Sequence, residues 1–121
     1  MAGVATYRVL GQEAVGSSWT TVYTVPTGQA AITSTVAFCY LGSTGAETYS
    51  LRVVPAGQTG DAKHQVVRGK LVSVEIDPDG GATGSDFYTL GLTLAAGDKV
   101  EAKSSAGSGV FAVHVYGTEL S

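Results

Sequence analysis

Apolar and polar side chains alternate at every second position through most of this chain, and β-branched and aromatic residues carry the apolar half. A period of two sorts side chains onto the two faces of an extended strand, whereas a helix needs apolar residues three or four apart. The pattern predicts strands only, at Tyr7–Leu10, Trp19–Val25, Ala30–Tyr40, Thr48–Pro55, His64–Val67, Leu71–Ile76, Phe87–Leu94, Lys99–Ser104 and Val110–Tyr116. In the second strand Thr20, Val22 and Thr24 are expected opposite Trp19, Thr21, Tyr23 and Val25. In the third, Ile32, Val36, Phe38 and Tyr40 share one face and Thr33, Thr35, Ala37 and Cys39 the other. Tyr49, Leu51 and Val53 oppose Arg52, and Val72, Val74 and Ile76 oppose Ser73 and Glu75. Leu90, Leu92 and Leu94 alternate cleanly, and Phe111, Val113 and Val115 belong in the core.

Turn residues separate these runs. Pro26, Thr27 and Gly28 combine a fixed φ with a residue free to take a positive one, and Pro55 should end the pairing of its strand. The Asp- and Gly-rich stretch Asp77–Asp86 reads as the longest loop. The turns within Tyr23–Ala30 and Thr93–Val100 echo one another, each with a Thr, an apolar residue and a Gly followed by Gln29 or Asp98. Short, evenly spaced strands with turns between them predict an all-β fold, an antiparallel β-sandwich of jelly-roll type with about eight strands. At 121 residues the chain makes one domain, 1–121, with residues 1–6 as an N-terminal arm.

Charge changes the picture. Charged residues are only 14% of the chain and hydrophobic ones 44%, against roughly 25% charged in an average soluble domain. A weakly charged β-rich surface does little to resist association, so the composition suits a subunit whose faces are covered by neighbours. A net charge of −3 with scattered basic residues argues against a nucleic-acid partner. No apolar run approaches the roughly 18 residues of a membrane helix, and Met1–Arg8 lacks the features of a secretory signal. The single cysteine, Cys39, rules out an intrachain disulfide and reads as an inert thiol in an apolar run.

Candidate chemistry is sparse. Asp77, Asp79 and Asp86 among Gly80, Gly81 and Gly84 suggest a cation loop, but Gly81 and Tyr88 fall where ligands should sit, and an ordinary turn is expected. His64 and His114 lie in predicted strands with no G-x-S-x-G elbow or H-x-x-x-H pair beside them, and structural roles are expected. Glu47, Arg52, Glu101 and Lys103 read as exposed charges of little individual weight. Trp19, Tyr23, Tyr40, Tyr49, Tyr88 and Tyr116 are spread over most strands, which favours core or subunit interface over a sugar-stacking platform. No catalytic, cofactor-binding or metal-ligating residue is assigned, and a non-enzymatic binding role is expected.

The segment Tyr23–Tyr40, with its Tyr23-Thr24-Val25-Pro26 turn leading into a long strand near Cys39, resembles small structural proteins of tailed bacteriophages. So do Tyr49-Ser50-Leu51-Arg52-Val53-Val54-Pro55, the Lys63-His64 pair, the Thr89–Asp98 stretch, and the closing strand Val113–Glu119. One departure is Leu41 after Tyr40, where such proteins often carry Asn. The resemblance implies a virion component, made in the host cytoplasm, that binds itself as a homotrimer and also the major capsid protein or tail proteins. A capsid decoration, or cement, protein is the leading expectation. A tail, baseplate or fibre-associated subunit and a carbohydrate-binding module are the alternatives.

Overall fold

The structure is a computed structural model that describes residues 4–42, 47–76, 82–107 and 109–121, the side chains at 76 and 82 excepted. Its strands are β1 (Ala5–Val15), β2 (Thr20–Thr24), β3 (Ala30–Tyr40), β4 (Thr48–Val54), β5 (Gln65–Leu71), β6 (Val74–Ile76), β7 (Ala82–Tyr88), β8 (Thr93–Leu94), β9 (Lys99–Ser104) and β10 (Phe111–Leu120). Among the described residues there is no α-helix, only a 3-10 turn at Ala62–His64. The fold is an all-β sandwich of antiparallel sheets. One sheet runs β1-β10-β3-β7-β6, with β8 also paired to β3, and the other runs β2-β9-β4-β5.

The core lies between them. From the larger sheet Val36, Phe38, Phe111, Val113 and Val115 point inward, each fully buried, and Tyr49, Leu51, Val100 and Ala102 meet them from the smaller one. The Phe38 and Tyr49 rings stack at 3.9 Å between centroids, and Phe111 meets Tyr49 edge-on at 5.3 Å. Such aromatic pairs add specificity of packing to the area they bury. The alternation read for β4 and for Phe111, Val113 and Val115 therefore holds, and β4 stops at Val54, before Pro55.

Elsewhere the phase shifts. Pairing of β3 with β10 steps from Thr35↔Tyr116 to Thr33↔Gly117, leaving Ser34 as one extra residue. A bulge of this kind reverses every side chain beyond it. Ala31 and Thr33 therefore point inward and Ile32 outward at 43% exposure, the reverse of the expected facing of Ile32 and Thr33. A second bulge, at Leu10 between Val9↔Tyr116 and Gly11↔Val115, flanks β10 on its other side at the same level. A third, in β2 between Thr21 and Tyr23, lets the neighbours Val22 and Tyr23 both be buried rather than oppose each other.

Several boundaries also move. Residues 5 and 6 are not a free arm, because Ala5 pairs with Leu120 and Thr6 with Glu119. The first strand runs on to Val15 through Gly11, whose missing Cβ lets β1 pass the backbone of β2: a methyl there would sit 2.0 Å from the Val22 carbonyl oxygen. Residues 82–86 form most of β7 rather than a loop, paired with β6 and β3, while 77–81 lie outside the described residues. Conversely the expected strand Phe87–Leu94 is interrupted at 89–92, where the Thr33 hydroxyl donates to the Leu90 carbonyl and accepts from the Leu92 amide, replacing ladder bonds. Leu71 ends β5, exposed, and Val72 is buried between strands.

The echo between two turns has a third member. Pro26–Gln29, Pro55–Gln58 and Ala95–Asp98 each close with an amide-to-carbonyl bond from the fourth residue to the first, of 3.1, 3.1 and 3.0 Å. Their third residues, Gly28, Gly57 and Gly97, have φ of 77°, 77° and 86°, the type II arrangement that only glycine takes without strain. The turns are tied together. Val25 exchanges two backbone bonds with Gly97 and Asp98, and the Asp98 carboxylate accepts from the amides of Ala56 and Ala95 at 2.9 and 2.8 Å.

Candidate functional site

The residues that suggested chemistry do not converge. His64 ends the 3-10 turn rather than lying in a strand; its Nδ1 accepts from the Asp61 amide at 3.0 Å and its Nε2 lies 3.1 Å from Gln58 Oε1. His114 sits on β10, bonded through Nδ1 to Gln12 Nε2 at 2.9 Å and stacked at 6.1 Å on Tyr116. Asp77 and Asp79 lie outside the described residues. Asp86 accepts from the Tyr49 hydroxyl at 2.5 Å and faces Lys70 Nζ at 3.8 Å. With its proton committed to Asp86, the Tyr49 oxygen accepts from Tyr88 at 2.5 Å. Burial, followed by the hydrogen bonds to Asp86 and Tyr88, pushes the Tyr49 hydroxyl well above the ordinary phenol range. This cluster fastens β4 to β7 across the sandwich.

A hollow of about 630 Å³ beside it, between β6 and β7, is lined by Ser73, Val74, Glu75, Thr83, Gly84 and Ser85. Glu75 is its single ionisable group, so it offers no acid–base pair. Among the described residues no three His, Cys, Asp or Glu side chains gather in a metal-binding group, and no helix is long and apolar enough to cross a membrane.

What distinguishes the molecule is the contrast between its two outer faces. On the smaller sheet the outer face is ionic. Arg52 and Glu101 form an ion pair at 2.7 Å, both largely buried, in place of the exposed charges expected there. Glu101 also accepts from the Thr21 hydroxyl at 3.0 Å, and Arg52 and Lys103 lie over the Trp19 ring at 4.2 and 5.0 Å. Lys99 and Lys103 alternate with Glu101 along β9, so this face is built to meet water.

The outer face of the larger sheet has the opposite character. Inward-pointing Phe111, Val113 and Val115 fix the outward set on β10 as Ala112, His114 and Tyr116, and register carries it to the neighbouring strands. Tyr7 and Val9 stand on it from β1, Ile32 from β3 and Phe87 from β7, at 84, 43, 43 and 69% exposure. The outward positions of β1, β10, β3 and β7 include no Asp, Glu, Lys or Arg; Glu75 on β6 stands at the margin. Cys39, half-buried, lies on the same face between Ala112 and Ser85. Single exposed apolar residues are ordinary on a protein surface; here Tyr7, Val9, Ile32 and Phe87 share one uncharged sheet face.

The candidate aromatics divide accordingly. Tyr23, Tyr40 and Tyr49 are buried, Trp19 is roofed by cations, and Tyr116 shares the uncharged face with Tyr7. Tyr7 and Phe87 drew no attention in the sequence, because neither belongs to a motif. The register of β1 against β10 and of β7 against β3 is what brings them onto one surface. Neither a known protein family, nor a curated protein, nor a solved structure matches the chain.

Proposed function

We propose that the chain is a bacteriophage virion structural protein without catalytic activity, a capsid decoration or cement protein that oligomerises on the capsid surface and stabilises the head. The observation that carries this reading is the uncharged, aromatic-bearing outer face of the larger sheet set against the ionic face of the smaller one. A protein used for surface coverage needs a rigid slab with one face for protein and one for water, and needs no reacting groups. The phage-like segments give the reading its particular context: Tyr23–Tyr40 forms the end of β2, a type II turn and β3, and Thr89–Asp98 closes on a second turn of the same type.

A subunit that binds only the assembled shell stabilises it by mass action, in proportion to its affinity and concentration. Particles stripped of the protein are expected to lose genome at lower temperature and under milder osmotic shock than intact ones, and to regain resistance when it is added back. Stripped particles as resistant as intact ones overturn the cementing role. Immunogold label at the tail, with the shell unlabelled, assigns the chain to the tail or baseplate instead.

A further inference from the structure

We infer that the outer face of the β1-β10-β3-β7 sheet is where this chain packs against another copy of itself. The inference deepens the self-associating reading above and rests on it. Three observations support a copy of the chain as occupant.

Charge comes first. Burying an unpaired charge is costly, and like charges set face to face repel. The four strands present no Asp, Glu, Lys or Arg on this side, so two copies meet here without either penalty, although each chain carries a net charge of −3. The ionic outer face of the smaller sheet would incur both.

Size is the second. Strands about 4.8 Å apart with about 3.3 Å per residue, three of them ten or eleven residues long and β7 seven, make a face roughly 600 Å² in plan, at the lower end of the about 600–1,000 Å² per partner of a standard interface. Flanking Tyr7 and Phe87 project from its opposite margins and extend the area that a neighbour covers.

The third is the content of the face. Tyr7, Tyr116 and Phe87 are large aromatic anchors, His114 is already held by Gln12 and by stacking on Tyr116, and small residues such as Ala37 and Ala112 separate them. A few large anchors among small, already-satisfied neighbours is the composition of an interface centre, where aromatic residues carry most of the binding energy. His114 and Tyr116 are already held against one another in the single chain, so little ordering of this pair is left to be done on association.

The test is sedimentation velocity of the full chain over a dilution series, with Tyr7→Glu, Ile32→Glu and Phe87→Glu beside the wild type. All three positions are exposed, and circular dichroism shows which variants keep the strand signal; a variant that loses it is set aside and the other two decide. The wild type is expected to sediment as an oligomer at high concentration, and each folded variant to raise the dissociation constant about 10–100-fold. As a second reading, Cys39 should react with a maleimide more slowly as wild-type concentration rises, and in the variants the same slowing should need about 10–100-fold more protein. A wild type that stays monomeric throughout, or charged variants that assemble as it does, overturns the inference. So does a monomer whose binding to particles is lost in Phe87→Glu, since the face then belongs to the particle while the decoration reading stands. An oligomer dispersed by these substitutions that fails to bind particles supports the inference and removes the decoration reading alone.

Discussion

The Tyr23 hydroxyl on β2 donates to Oε2 of Glu119 on β10 at 2.7 Å, joining the two sheets by a hydrogen bond inside the sandwich. Glu119 is 8% exposed, and Arg8 Nη1 meets its other oxygen at 3.1 Å. Tyr23→Phe removes the donor and leaves that carboxylate buried with one partner fewer, at an expected cost of about 1–2 kcal/mol. In urea unfolding the midpoint should fall while the slope stays constant. Arg8→Ala should cost less, because the Arg8 side chain is more than half exposed and its ion pair is screened by water.

Stability should fall on the alkaline side. The hydroxyls of Tyr23 and Tyr49 are both raised well above the ordinary value of 10.0, by burial first and then by donation to Glu119 and Asp86. The folded chain therefore holds these protons more tightly than the unfolded one. Their contribution is complete below about pH 10 and is lost as pH rises towards the folded values, by about 1.4 kcal/mol per pH unit for each group. Urea midpoints followed through this range should drop steeply in the wild type, and less steeply in Tyr23→Phe.

Asp98→Ala should loosen the three-turn end of the sandwich. Its two carboxylate oxygens accept from the amides of Ala56 and Ala95, and neither amide has another acceptor within its own turn. A loss of about 1–3 kcal/mol is expected, with Asp98→Asn keeping part of it through the remaining carbonyl oxygen. Amide hydrogen exchange at Ala56 and Ala95 should quicken first.

Gly11→Ala should be far more damaging than its size suggests. The new methyl would meet the Val22 carbonyl 2.0 Å away, and backbone cannot swing aside as a side-chain tip does. About 1–3 kcal/mol of destabilisation is expected. Gly107→Ala, with nothing within 4 Å of the added carbon, should leave the thermal midpoint almost unchanged.

Where one face is buried and pairing is regular, as in β4 against β9 and the Phe111–Val115 part of β10, alternation alone places the side chains correctly. It failed at Val22 and Ser34, since a bulge needs no Gly or Pro to mark it and is set by the partner strand. Residues 82–86 carry Gly, Ser and Asp, which locally favour a loop. Pairing with β3 and β6 on either side makes them a strand, and Asp86 is held there by Tyr49 and Lys70. The outer face was legible only as a shortage of charge. Low charge says that some surface is covered, but locating that surface takes the register that sets Tyr7 beside Thr118 and Phe87 beside Ala37.

Ser34 thereby governs more than local geometry. Deleting it would bring Thr33 and Ala31 out to solvent and turn Ile32 into a core already filled by its neighbours, breaking the apolar surface halfway along β3. One inserted serine acts as a phase switch: the amino-acid order of β3 encodes two half-strands of opposite parity, and their junction decides whether the sheet offers a partner one unbroken plane or two unrelated patches.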